Sequence, residues 1–183
     1  MSDLKAYHEL ACENLDVISA KVLDFIGQEL ASGQTGWIFL NTKNLLLAVP
    51  ELMTFFQQHK LRPMDASITV LYDDFSIHVD TLPVIAKINF PIKNNQGWVN
   101  RWYLLDNHIL DACETIVDHL GFHKKDVSTV TDKMTLMAEL RDQSRPIVFN
   151  SGIPHSVIKQ DAVDLPRVVL SVTFFNEPLD QLR

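Results

Sequence analysis

From Leu61 onward the sequence is a succession of short runs suited to β-strands, each cut off by turn residues, and this restricts the chain to few folds. Ala66-Ser67-Ile68-Thr69-Val70-Leu71-Tyr72 is rich in β-branched residues, and Asp73-Asp74 ends it. Phe75 to Asp80 is a second run and Val84 to Ile92 a third, followed by the turn signal Asn94-Asn95-Gln96-Gly97. Trp98 to Tyr103 resumes the strand pattern. Pro146 to Asn150, Ile153 to Ile158 and Arg167 to Phe175 complete it. About eight short strands separated by Gly, Pro and Asn predict a sandwich or barrel, of which the jelly roll is the eight-stranded member.

The first sixty residues have a different character. Leu4, Tyr7, Leu10, Ala11, Leu15, Ile18, Val22, Phe25, Ile26 and Leu30 recur at steps of three and four, which predicts a helix from about Asp3 to Leu30. Gly33 and Gly36 interrupt, and Trp37 to Leu40 predicts a strand. Asn44 is expected to cap a helix running towards His59, with Pro50 kinking it or starting its second half. Further on, Ile109 to Leu120 predicts a helix ended by Gly121, and Lys124 to Lys133 a loop. The expected organisation is one domain over 1–183, mainly β with flanking α. Residues 1–60 form a helical buttress plus the first strand, and residues 61–183 form a jelly-roll core with an insertion around 106–145.

Charge and cysteine usage narrow the function. The net charge is −7 and the basic residues are scattered, so no nucleic-acid footprint is expected. Cys12 and Cys113 do not make a disulfide framework. The segment from Met1 to Glu13 lacks the basic flank and apolar run of a signal peptide, and no apolar run approaches membrane-spanning length. The expectation is a cytoplasmic protein without a membrane or nucleic-acid partner, acting on a small-molecule or peptidyl substrate.

Two stretches carry chemistry. In Ser76-Ile77-His78-Val79-Asp80, the side chains of His78 and Asp80 lie on one face of a strand. Far downstream, Pro154-His155-Ser156-Val157 offers a second imidazole. A His-x-Asp pair is weak evidence alone: with seven histidines in the chain, chance supplies roughly 0.6 such matches. Two imidazoles and one carboxylate, however, can hold one side of an octahedral ion and leave the other open. Arg167 begins the last strand, sharing a face with Val169, Ser171 and Thr173. An Arg on an otherwise apolar strand is costly to bury unless it meets an anion, and its planar fork suits a carboxylate.

His78-x-Asp80, then His155, then Arg167 with Ser171, resembles the 2-oxoglutarate and Fe(II)-dependent dioxygenase superfamily. The resemblance covers roughly residues 66 to 176. It implies a double-stranded β-helix, a cupin-type jelly roll buttressed by N-terminal helices. His78, Asp80 and His155 would then be the iron ligands. Arg167 would bind the distal carboxylate of 2-oxoglutarate, with Ser171 a second contact. In many members the Ser follows the Arg by two positions; here Val169 stands there and Ser171 follows at four. The implied reaction is hydroxylation of a C–H bond of an unidentified substrate, and no subfamily follows from these residues.

Other residues are candidates for the pocket: Tyr72 and Asn89 as cosubstrate contacts, and Trp102, Tyr103 and Asn150 along its wall; Lys87 shares a face with Asn89. Core packing accounts for the aromatics equally well. Ile77, Val79, Ile153, Val157 and Val169 could keep the site dry. His119 and His123 are four apart but separated by Gly121, and are expected to be solvated surface residues. Three other readings stay open: a catalytically silent metal- or ligand-binding module on the same fold, a metal-dependent cupin enzyme that does not use 2-oxoglutarate, and a structural jelly roll with accidental histidines.

Overall fold

A computed structural model describes residues 5–80, 85–117 and 123–183, apart from the side chains of Glu29 and His123. In chain order the elements are β1 (Tyr7–Glu9), α1 (Leu15–Phe25), α2 (Gly27–Ala31), β2 (Gly36–Leu40), α3 (Thr42–Ala48), α4 (Pro50–Gln58), β3 (Pro63–Leu71), β4 (Phe75–Asp80), β5 (Ala86–Lys93) and β6 (Trp98–Leu104). They continue with α5 (Asn107–Ala112), β7 (Thr115–Val117), β8 (His123–Lys125), β9 (Thr135–Arg141), β10 (Ile147–Asn150), β11 (His155–Lys159) and β12 (Arg167–Phe174). The strands form two six-stranded sheets, in the orders β1-β10-β5-β12-β3-β2 and β7-β8-β4-β11-β6-β9, with every pairing antiparallel. The fold is mainly β with flanking helices. None of the described helices is long and apolar enough to cross a membrane.

The two faces of the first sheet do different work. Along β12, Val168, Leu170 and Val172 point one way, and their cross-strand partners Val70, Ile68 and Ala66 on β3 point with them. That face packs under the helices, meeting Ile18 and Val22 of α1, Leu45 of α3, and Leu52, Phe55 and Phe56 of α4. The apolar residues come at helical spacing on one side and at strand spacing on the other, so both surfaces leave water together. The opposite face, with Arg167, Val169 and Ser171, turns towards the second sheet. A cavity lined by both apolar and polar side chains lies there.

Several elements differ from expectation. The N-terminal helix begins at Leu15, and residues Tyr7–Glu9 are a strand paired with Ile147–Phe149 of β10. The apolar steps there serve a strand that covers the β10 edge: Ala6 and Leu10 are buried and Tyr7 stacks on Trp102 at 4.9 Å. The cap of α3 is Asn41, whose side chain accepts from the Asn44 backbone N–H at 3.0 Å; Asn44 is the capped residue, not the cap. Pro50 opens α4 at its first turn, as one of the two alternatives held.

The expected helix Ile109 to Leu120 is shorter and earlier, capped by Asp106, and Thr115–Val117 is a β-branched strand. Residues 118–122, where that helix was expected to end, lie outside the described residues. Within the expected loop, Lys124 and Lys125 pair with β4 and Ser128–Lys133 is a 3-10 turn. Thr135–Arg141 is a further strand against β6, so part of the expected insertion belongs to the second sheet.

Candidate metal and oxoacid site

β4 and β11 are neighbours in the second sheet, and their register sets His78 directly opposite His155. Three steps along β4, from Phe75 to His78, face two along β11, from Val157 to His155, so β4 bulges beside the site. Asp80 follows His78 by two and shares its face. The ligand atoms of His78, Asp80 and His155 all lie within 4.8 Å of one another. Each imidazole is aimed by its own backbone. His78 Nδ1 donates to the Ser76 carbonyl at 2.8 Å, and His155 Nδ1 to the Ile153 carbonyl at 2.9 Å. A carbonyl can only accept, so Nδ1 carries the proton and Nε2 keeps its lone pair.

Burial sets the charges. Both rings are buried. Burial, followed by the neighbouring His155, pushes His78 down to about 3, and burial also lowers His155. Both are therefore neutral at pH 7. The 3.7 Å approach of His78 Nε2 to Asp80 Oδ1 is then no ion pair but the spacing of two donor atoms. Burial alone raises the Asp80 carboxyl. The Lys87 ammonium, 2.6 Å from Oδ2, opposes this by its charge and its hydrogen bond, and the group is held below the ordinary carboxylate range. The set is thus two neutral imidazoles and one ionised carboxylate.

Across the cavity stands Arg167, 2 % exposed. Its Nε donates to Asn95 Oδ1 at 3.0 Å, and its Nη2 to Asn100 Oδ1 at 3.1 Å and to Gln143 Oε1 at 3.4 Å. The Trp98 ring lies 5.7 Å from the guanidinium carbon. Two of the amides are oriented by their other ends. Asn95 Nδ2 donates to the Lys93 and Val168 carbonyls, and Gln143 Nε2 to the Asn89 and Arg145 carbonyls. Their oxygens must therefore face the Arg. Among the described residues no carboxylate pairs with Arg167, and burial lowers it to about 9. Asn100 Nδ2 and Trp102 Nε1 are buried donors without a partner among the described residues, and both residues line the cavity.

The cavity brings together His78, Asp80, His155, Arg167, Ser171 and Asn89, and with them Trp102, Val157 and Val169. Ser171 Oγ and Asn89 Oδ1 are 2.6 Å apart and bonded to each other. Tyr72 is not brought in: it is 44 % exposed and lines no part of this cavity. Ile77, Val79, Ile153 and Tyr103 are also absent from its wall. The Asn150 side chain accepts from the Gly152 N–H at 3.0 Å and makes a turn. His119 and the side chain of His123 lie outside the described residues.

Residues that the sequence did not single out complete the site. They are Asn95, Asn100 and Gln143 around Arg167, and Trp37 and Phe75 on the cavity wall. The alternation Trp98, Asn100, Trp102 was a usable signal, since a lone amide on an aromatic strand face needs a reason.

Solved structures share this fold. The non-heme alpha ketoglutarate dependent carbocyclase SnoK from nogalamycin biosynthesis is 12% identical with a TM-score of 0.58, covering 93% of this chain and 80% of its own. The epimerase SnoN, solved in complex with Fe3+, alpha ketoglutarate and nogalamycin RO, is 13% identical with a TM-score of 0.56, over 93% of this chain and 78% of its own. AviO1 from Streptomyces viridochromogenes Tue57 is 12% identical with a TM-score of 0.55, over 96% of this chain and 93% of its own. At these identities the likeness is one of fold. No protein-family model matches the chain, and no curated protein matches it significantly.

Proposed function

We propose that the protein is a non-heme Fe(II), 2-oxoglutarate-dependent dioxygenase of the double-stranded β-helix type, hydroxylating a C–H bond of its substrate. One observation carries this reading. Two neutral imidazoles and an ionised carboxylate converge on one side of a cavity that also holds a buried guanidinium with no acid partner among the described residues. The strand order supports the fold reading, since β3, β12, β5 and β10 lie in one sheet and β4, β11, β6 and β9 in the other. The likeness to SnoK and SnoN, an alpha ketoglutarate dependent carbocyclase and an epimerase solved with Fe3+ and alpha ketoglutarate, supports the cofactor pair.

The residues fit both groups. His78 and His155 would give Nε2 and Asp80 would give Oδ1, a donor set suited to Fe(II) with positions left open. Arg167 would hold the distal carboxylate of 2-oxoglutarate, because its amide partners leave its charge uncompensated. Asn100 Nδ2, a buried donor without a partner among the described residues, would donate to the same acid. Ser171 and Asn89, bonded to each other, would line its methylene chain. Tyr72 has no part in this reading.

Together the metal and cosubstrate supply an oxidation that consumes dioxygen, releases succinate and carbon dioxide, and acts on a C–H bond. The chain positions and encloses. Val157, Val169 and Phe75 keep water from the reacting groups.

Succinate release from 2-oxoglutarate, Fe(II) and air tests the reading. The wild-type chain is expected to release succinate only with metal, and Asp80→Ala to abolish release because the sole anionic donor is gone. Full release by that variant, or none from the wild type with iron bound, would remove the assignment. The second result would favour a silent binding module.

A further inference from the structure

Lys87 has no place in the chemistry above and does not line the cavity, yet it is 8 % exposed and meets a carboxylate of the site. Lysine is almost never so buried without a reason. It extends from β5 on the same face as Asn89 and meets Asp80 Oδ2 at 2.6 Å. The Trp37 ring lies 5.7 Å from its Nζ, so the ammonium is gripped between an aromatic face and a carboxylate. The two Asp80 oxygens thus have different neighbours: Oδ2 faces the ammonium, while Oδ1 faces His78 Nε2 at 3.7 Å.

We infer that Lys87 is a positioning residue for the metal centre: it holds one oxygen of Asp80 so that only the other serves a cation, and its fixed charge favours the lower oxidation state of the bound ion. The inference rests on the metal reading of His78, Asp80 and His155. The physical reason is Coulomb's law in a poorly screened interior. An ammonium on the far oxygen of a ligating carboxylate repels any ion on the near one, and repels a trivalent ion more than a divalent one. It therefore weakens binding of the divalent ion and disfavours its one-electron oxidation. A purely structural ion pair predicts the opposite sign: breaking it would loosen Asp80 and weaken the metal.

The test uses the full chain with Lys87→Met, which keeps length and loses charge, and Lys87→Gln, which also keeps a hydrogen-bond donor for Asp80. Mn(II) affinity is read by counting free ion with electron paramagnetic resonance, and the Fe(III)/Fe(II) potential by anaerobic titration. Both variants are expected to bind Mn(II) about tenfold more tightly. Their preference for ferric over ferrous ion should rise about threefold, since one charge unit rather than two separates the two states, a potential lower by about 30 mV. If the Met variant does not fold, the Gln variant decides. Unchanged or weaker Mn(II) binding with an unchanged potential overturns the role of Lys87 and leaves the triad standing. A wild-type chain that binds no Mn(II), Fe(II) or Co(II) overturns the metal reading itself, and this inference with it.

Discussion

Arg167 is surrounded by amide oxygens and an indole, with no acid among the described residues. Neutral acceptors satisfy its N–H groups but not its charge, and a buried charge without a counter-ion is costly. That cost is recovered when a carboxylate enters. Arg167→Met is therefore expected to weaken 2-oxoglutarate by about 2–5 kcal/mol, roughly 30-fold or more, while Mn(II) affinity stays within about twofold. Calorimetric titration of each ligand checks this, and unchanged 2-oxoglutarate affinity would remove Arg167 from the site. Arg167 and the triad were legible in the sequence because strand alternation says which side chains share a face. Asn95 and Gln143 were not. They lie outside the regular strands and reach Arg167 only through the tertiary fold, and no periodicity encodes that.

At the scale of elements, the alternation that exposes the site also separates stability from chemistry. Leu170 and Ser171 are consecutive on β12, yet Leu170 is buried in the helix-covered core and Ser171 lines the cavity. Leu170→Ala is expected to cost about 2–5 kcal/mol of folding stability, because the removed atoms leave a cavity under the helices. Ser171→Ala should cost about 1 kcal/mol, the worth of its bond to Asn89. Denaturant unfolding of the two variants checks the contrast, and equal losses would mean that the faces are wrongly apportioned. The elements that sequence pattern misassigned are those whose state depends on a partner. Tyr7–Glu9 is a strand because the edge of β10 is available to it, and Thr135–Arg141 because β6 is. The strands bearing the triad and Arg167, with β-branched runs between turn residues, were readable without their partners.

For the whole molecule, the same buried groups tie folding to pH. His78 is pushed down to about 3 by burial and by His155, against about 6.5 in an unfolded chain. Between those values the unfolded chain binds the extra proton, so stability rises with pH there and falls as pH drops below about 6.5. His155 is lowered by burial too and acts with the same sign. Asp80 is depressed in the folded chain, so its contribution is present above about 4 and is lost only below that. At pH 5 to 6.5 the two imidazoles therefore act almost alone. The metal-free chain is expected to lose about 1.4 kcal/mol per pH unit from His78 once pH is well below 6.5, with a further loss from His155. Urea unfolding in chelator at pH 7.5 and pH 5.0 measures it, and His78→Gln should shrink the difference. With a divalent ion bound the slope should steepen, since protons then compete with the metal for the same Nε2 atoms. Equal stability of the metal-free chain at the two pH values would mean that the imidazoles protonate as freely in the folded state as in water, and a pair so accessible could not be the dry, neutral donor set on which the site depends.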